Sequence, residues 1–314
     1  MHSQNGSRTR FQHEALLYRD TADFLQHTVP FIRGGLDAGE PVMVATAAPR
    51  IAALRAALGA RAERVEFADM AQIGANPARI IPFWQGFIHR AQSDGRGLRG
   101  IGEPVWHERR GAELVESQWH ESLLNVAIDP ALPIWLLCPY DASTLEPGVV
   151  DEALRSHPLV TEGGHTRESG VFRGRGGSVG PFSTRLPDPP PGSRSYAFGP
   201  DDLATVRGMV AAHAAEAGLS ADRNHELVAG AHEVATNSVR HGGGAGVLRL
   251  WRDDASVICD FTDRGRIDDP MVGRERPPSG SAGGRGLWLA NQTCDLVQIR
   301  TRPQGTEVRL HMNL

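Results

Sequence analysis

The sequence predicts two domains, an N-terminal α/β domain with a mostly parallel sheet and a C-terminal α+β sandwich. Three observations predict this. At 314 residues the chain is longer than one core ordinarily serves and comfortable for two. As far as Cys138, apolar strand-like runs alternate with amphipathic helical stretches, the rhythm of βαβ units. Beyond a Gly/Pro-rich interruption the order changes to one strand, two helices and paired strands, which gathers helices on one side of a mostly antiparallel sheet.

The elements follow in order. Glu14–Tyr18 reads as a strand, and Thr21 to about Ala38 as a helix with Phe24, Val29, Phe31 and Ile32 on one side. Pro41–Ala45 is a short apolar run bounded by turn signals, as a buried parallel strand would be. A helix over Pro49–Leu58, a strand over Val65–Phe67 and a long helix over Asn76–Gln92 come next. Leu98–Gly102 is a strand, Ala112–Val126 a helix, and Ile134–Cys138 a strongly buried strand. From Glu162 no helical or alternating period survives. Gly and Ser loosen the first half of this stretch, and Pro187–Pro191 stiffens the second. The domains are therefore placed at 1–161 and 194–314, with a linker over 162–193. After it come a strand at Ser195–Phe198, helices over about 200–217 and 221–241, and strands at Val247–Trp251 and Ser256–Thr262. A polar loop spans roughly 266–284, followed by a helix from Leu287 and strands at Leu296–Thr301 and Thr306–Met312.

Composition narrows the function classes. A hydrophobic fraction of 40% with 22% charged residues describes a soluble globular chain. A formal net charge of -4 gives no footprint for direct nucleic-acid binding, and the most basic stretch, Arg167–Arg185, lies in the glycine-rich linker. No run of about 18 apolar residues suggests a membrane span, and the first six residues lack a signal-peptide core. Cys138, Cys259 and Cys294 are scattered without CxxC spacing, so the expected setting is a reduced cytoplasm.

Chemistry concentrates in the second half. Glu233 and Asn237 are four apart near the end of a helix, so they stack on one face. The amide oxygen is a hard ligand that suits Mg²⁺, and the carboxylate can orient or deprotonate a nucleophile. Taken alone such a pair also describes a solvated helix surface. Asp263 ends a strand and is followed two residues later by Gly265; a carboxylate there can accept the exocyclic amine of adenine. Gly283-Gly284-Arg285-Gly286 then opens a helix, where main-chain N–H groups and the dipole face phosphate, and Gly305-Thr306 opens the last strand.

In this order and spacing, 195–314 resembles the histidine-kinase-like ATPase (GHKL) superfamily, and most closely its anti-sigma-factor serine/threonine kinases. The resemblance implies a sandwich of the GHKL ATPase type that binds ATP and Mg²⁺, with Glu233 as catalytic base and Asn237 as magnesium ligand. It places His241, Asp263, Gly265, Gly283, Gly284, Arg285, Gly286 and Thr306 around the nucleotide. It also implies a sigma factor and an anti-anti-sigma (STAS-type) protein as partners, in a transcription-regulating stress response. One position departs from the pattern: where the adenine box carries a second Gly, this chain has Ile267. Arg285 is expected either to bind phosphate or to tie the lid to Asp268 or Asp269. A sensor histidine kinase is disfavoured, because the place of its phosphoacceptor hairpin is taken by a Gly/Pro linker whose only histidine is His165.

The first half has no GxxxxGK[ST] loop. Its segments His13–Tyr18, Gly39–Val42, Gly102–Trp106, His120-Glu121 with Leu124-Asn125, and Cys138–Asp141 are similar to the MEDS sensory domain, which implies sensing of a small carbon compound. At strand ends, Glu103, Trp106, His107, Cys138, Tyr140 and Asp141 are the candidate ligand pocket. The tryptophans Trp106, Trp119 and Trp135 serve equally well as core. A metal site from His107, His120, Glu121 and Cys138 has ligand chemistry but no motif spacing.

The reading is a cytoplasmic switch protein, a sensor joined to an anti-sigma kinase, with a homodimer left open. Its rival is a non-catalytic module in which ATP only shapes a surface that sequesters a sigma factor.

Overall fold

The computed structural model of the chain describes residues 10–91, 96–175, 181–278 and 284–314. It forms two compact units, one within 1–178 and the other within 179–314.

The first unit is a sheet flanked by helices. Its strands are β1 (Gln12–Tyr18), β2 (Val42–Thr46), β3 (Glu66–Asp69), β4 (Leu98–Gly102), β5 (Ile134–Asp141), β6 (Leu159–Glu162) and β7 (His165–Glu168). They lie in the order β3-β2-β4-β5-β1-β6-β7. The β6–β7 pairing is antiparallel and the other pairings are parallel, so the expected α/β class is present. The helices are α1 (Thr21–Asp37), α2 (Ala48–Leu58), α3 (Met70–Ile73), α4 (Ile80–Ala91), α5 (Gly111–Ala127) and α6 (Pro147–Ser156). Asp20 caps α1 by accepting the Asp23 N–H at 2.8 Å, which fixes its first turn. The apolar face of α1 then packs Phe24, Ile32 and Leu36 with Leu16, Val44, Leu54 and Ile101 in one core cluster. Alternation along the strands turns His13 and Cys138 the other way, where they meet Glu121 of α5.

Several features, β6 and the short α3 among them, were not in the sequence reading. Helix α4 begins at Ile80 because Asn76 accepts the Ala78 N–H at 3.0 Å and starts a tight 3₁₀ turn over Pro77–Arg79 instead. Helix α6 starts at Pro147, whose missing N–H costs nothing in a first turn. Strand β7 lies inside the stretch read as linker. All four of its residues are exposed; main-chain pairing to β6 and a Thr161–Thr166 hydroxyl contact at 2.5 Å define it, and no apolar period betrays it. At the other end of that stretch Phe182 and Leu186 are buried, and the Pro187 carbonyl accepts from Arg309 at 2.9 Å. The linker is thus folded onto the second unit from at least Phe182, well before residue 194.

The second unit has strands β8 (Arg194–Phe198), β9 (Gly246–Arg252), β10 (Ser256–Asp263), β11 (Leu296–Arg302) and β12 (Gly305–Asn313), ordered β11-β12-β10-β9-β8. These pairings are all antiparallel. Helices α7 (Leu203–Glu216), α8 (Ala221–His241) and α9 (Arg285–Thr293) complete the α+β sandwich. Leu227, Ala231, Val234 and Ala235 bury the inner face of α8, together with sheet residues such as Leu248, Cys259 and Leu310. The sheet also buries charge. Arg309 pairs with Asp260 at 3.1 Å and Glu307 at 2.9 Å, so these groups are compensated. Among the described residues no helix is long and apolar enough to cross a membrane.

Candidate functional site

Helix α8 carries Glu233 and Asn237 one turn apart, and strand β10 ends at Asp263 beside the end of that helix. Their close approach depends on Gly242: a Cβ there would sit 2.4 Å from Asp263 Cγ, so no side chain fits between helix end and strand end. The Arg264 N–H donates to the Gly242 carbonyl at 3.1 Å and closes the junction. Asp263 Oδ1 accepts the Gly265 N–H at 2.8 Å, and Thr306 Oγ1 donates to the Gly265 carbonyl at 3.0 Å. One carboxylate oxygen is therefore tied to the turn at Gly265, which Thr306 of β12 holds in place, while the second oxygen retains acceptor capacity.

A cavity of about 340 Å³ opens over this junction, a volume in the range of small-molecule pockets. Its polar lining includes Asn237, His241, Asp263 and Thr306, with Arg266, Asp268 and Asp269 from the following loop, and its apolar walls include Val234, Ile267, Leu287 and Val308. Gly265, Gly284 and Gly286 lie on its rim. Gly284 adopts φ 83°, the left-handed conformation that starts α9 without a side-chain cap. The first N–H groups of α9 are thus left for an external acceptor. Gly286 rests directly on α8: a Cβ there would lie 2.7 Å from Glu233 Oε2 and 3.1 Å from Asn237 Nδ2.

The structure therefore brings Asn237, His241, Asp263, Gly265, Gly284, Gly286 and Thr306 around one cavity. Glu233 is on the same helix face as Asn237 but lines a neighbouring cavity with Arg276, Pro277, Arg285 and Trp288. Arg285 is exposed there. Asp268 is paired with Arg266, and Asp269 accepts the Met271 N–H, so neither is the anchor the sequence offered for Arg285. Gly283 lies outside the described residues. Ile267 is part of the cavity wall, and its N–H donates to Thr301 Oγ1 at 3.3 Å. The apolar walls were missed because single Val and Leu residues in a sandwich read as core; only Val234, three residues before Asn237 on α8, carried a positional signal.

In the first unit the candidate ligand pocket divides. Glu103, just after β4, is 3% exposed and accepts the Tyr18 hydroxyl at 2.7 Å and the Thr46 hydroxyl. Arg50 pairs with it at 2.9 Å and reaches Asp141 at 3.4 Å, so both acids meet one guanidinium at the C-terminal ends of the strands. Burial raises the Glu103 pKa to about 7, with Asp141 adding to the rise and Arg50 and Thr46 opposing it. Trp106 is stacked beneath the Arg109 guanidinium at 3.9 Å, and His107 is exposed. Cys138 and Tyr140 are buried with Glu121 nearby, away from this group. Tyr18, Thr46 and Arg50 were not singled out from sequence, although the places of Tyr18 and Thr46 at strand ends could have found those two.

Residues 12–158 match the MEDS family, described as the methanogen/methylotroph, DcmR sensory domain. Residues 197–312 match the histidine kinase-like ATPase domain. No curated protein matches the chain. Among solved structures it is similar to the RsbU and RsbW domains of a Mycobacterium tuberculosis protein, with 20% identity and a TM-score of 0.29. That similarity covers 41% of this chain, and this chain spans only 33% of the other.

Proposed function

We propose that this chain, a MEDS domain followed by a histidine kinase-like ATPase domain, is a cytoplasmic anti-sigma regulatory factor. In this reading it binds Mg-ATP and phosphorylates a serine or threonine of an anti-anti-sigma (STAS-type) partner, under control of a small ligand at the first unit. The observation that carries it is the single cavity where Asp263, Asn237, Thr306 and the Gly284–Gly286 turn meet.

Each group has a task. Asp263 accepts the adenine amine through the oxygen that Gly265 leaves open, a charge-assisted contact. Val234, Ile267 and Leu287 cover the faces of the base. The first turn of α9 offers N–H groups and its positive end to the phosphates. The side-chain oxygen of Asn237 would hold Mg²⁺, which neutralises phosphate charge when bound. Glu233, one turn away, orients the partner's hydroxyl and takes its proton.

A second reading has one specific observation in its favour. Glu233 lines a cavity separate from that of Asp263, with Gly286 packed between. A protein that keeps this arrangement would bind ATP without transfer and act by sequestering a sigma factor.

Single-turnover phosphorylation with the parent, Glu233→Gln and Asn237→Ala separates the two. Glu233→Gln should bind Mg-ATP normally and transfer about 10²- to 10⁴-fold more slowly, the usual worth of a general base. Asn237→Ala should lose magnesium-dependent binding and transfer together. A parent that binds ATP yet phosphorylates no STAS-type partner would leave the sequestering module as the function.

A further inference from the structure

Four side chains with metal-ligand chemistry meet in the interior of the first unit: His13 of β1, Glu121 of α5, Cys138 of β5 and His157, which follows α6. All four are buried, and one ligand atom from each lies within 4.8 Å of every other. The close approaches are 3.1 Å from His13 Nε2 to Glu121 Oε2, 3.2 Å from His157 Nε2 to the same oxygen, and 3.4 Å from His13 Nε2 to Cys138 Sγ. Around a tetrahedral ion with bonds of about 2.0 Å to nitrogen or oxygen and about 2.3 Å to sulfur, neighbouring ligand atoms stand roughly 3.3–3.6 Å apart. The three close approaches already stand near that spacing, and the remaining ligand atoms lie within 4.8 Å of one another.

The surrounding hydrogen bonds decide which ring nitrogens face inward. Asn125 Nδ2 donates to the Ser156 carbonyl at 2.8 Å and faces the carbonyls of Ser122 and Glu121 at 3.3 and 3.4 Å. Its Oδ1 is therefore the atom turned to His13 Nδ1, 3.1 Å away. An amide oxygen only accepts, so His13 carries a proton on Nδ1. His157 Nδ1 lies 2.8 Å from the Ala153 carbonyl and is protonated by the same argument. Charging both rings would bury two cations whose centroids are 4.0 Å apart, so at least one ring presents a bare Nε2 lone pair to a carboxylate oxygen. That pair of acceptors lacks a proton or a cation between them. His157 Nε2 and Glu121 Oε1 are buried and make no hydrogen bond.

We propose that His13, Glu121, Cys138 and His157 form a tetrahedral site for a divalent transition-metal ion of the zinc class. Two imidazole nitrogens, a thiolate and a carboxylate suit zinc and exclude the hard cations Mg²⁺ and Ca²⁺. The Nδ1–H bonds to Asn125 and Ala153 are the outer contacts that orient metal-bound histidines. Binding releases the Cys138 Sγ proton. The thiolate and the Glu121 carboxylate then balance the two charges of the ion, and the interior holds a neutral assembly in place of a lone carboxylate. With all four positions taken by protein, the ion clamps α5 and the end of α6 to β1 and β5.

The test uses the full-length chain, equilibrated with zinc and desalted. Elemental analysis should find roughly one zinc per folded chain, and the zinc-edge absorption spectrum should fit one sulfur and three lighter ligands. Cobalt in place of zinc should give a thiolate-to-metal charge-transfer band that Cys138→Ser removes. Asn125→Ala keeps the ligands but should weaken zinc about 10- to 100-fold. Folded parent protein that retains well under one equivalent overturns the proposal. So does a metal shell without sulfur, or a thiolate band that persists in Cys138→Ser. The absorption spectrum of the parent decides the matter even if the Cys138 variant does not fold.

Discussion

The Glu103 carboxyl is fixed by its neighbours more than by its own chemistry. It sits at the end of β4 with Tyr18, Thr46 and Arg50 around it, and burial raises its pKa from 4.5 to about 7. Between those two values the folded protein keeps a proton that the unfolded chain would release. The group's contribution to stability is therefore fully present below about pH 4.5 and is lost as pH rises through about 7. The shift bounds that loss at about 3 kcal/mol. Glu103→Gln cannot titrate, so its advantage over the parent should grow by up to that amount between pH 4.5 and 8 in denaturant unfolding. His13 and every other titrating group are common to both proteins and cancel in the difference. A pH-independent difference would show that Glu103 ionises normally. The acids at the strand ends, Glu103 and Asp141, could be read from sequence because a carboxylate closing an apolar run is conspicuous. Arg50 could not: one arginine in the first turn of an amphipathic helix looks like any solvated charge, and only the sheet order carries it to both acids.

Among the elements, the stretch between the two units shows where composition misleads. Gly, Ser and Pro at 162–193 erase the apolar period on which any sequence reading depends. Yet β7 pairs with β6 through main-chain groups and one Thr161–Thr166 hydroxyl contact, and Phe182 and Leu186 supply buried anchors without repeating. Burying a Phe or Leu side chain contributes roughly 1.5–3 kcal/mol, an upper bound when judged from the folded state. A fragment 194–314, cut at the boundary that composition suggests, should therefore be less stable than 181–314 by about 3–6 kcal/mol. It also loses the Pro187 carbonyl that accepts from the buried Arg309. Thermal unfolding of both fragments checks this, and equal midpoints would mean that the Phe182–Pro187 segment adds nothing to the second unit. Helices α1 and α8 were plain in advance because each combines a side-chain N-cap with an apolar face.

On the scale of the whole molecule, the two units differ in how their chemistry is written along the chain. The proposed nucleotide constellation comes in ordered pieces, Glu233 with Asn237, then Asp263 with Gly265, then the glycines that open α9, because each piece sits at or near the end of one helix or strand of a fixed order. The His13–Glu121–Cys138–His157 cluster draws single residues from four distant elements, so no spacing announces it and only the β5–β1 pairing and the α5 face assemble it. The lining of the proposed nucleotide cavity comes from α8, α9, the sheet and the loop after β10, all within the second unit. Mg-ATP should therefore bind 181–314 and the full chain with affinities within about a factor of three, less than 1 kcal/mol apart. Calorimetric titration of both proteins with Mg-ATP measures this directly. If the fragment binds more than about tenfold more weakly, a coupling above 1.4 kcal/mol exists, and the first unit shapes the nucleotide site even without its own ligand. If the affinities agree, the ligand-free first unit leaves nucleotide affinity unchanged, and any control it exerts in that state acts on partner capture or on transfer. The Glu233 side of the Gly286 turn, which ATP binding at the Asp263 cavity does not itself require, is where such control would then operate.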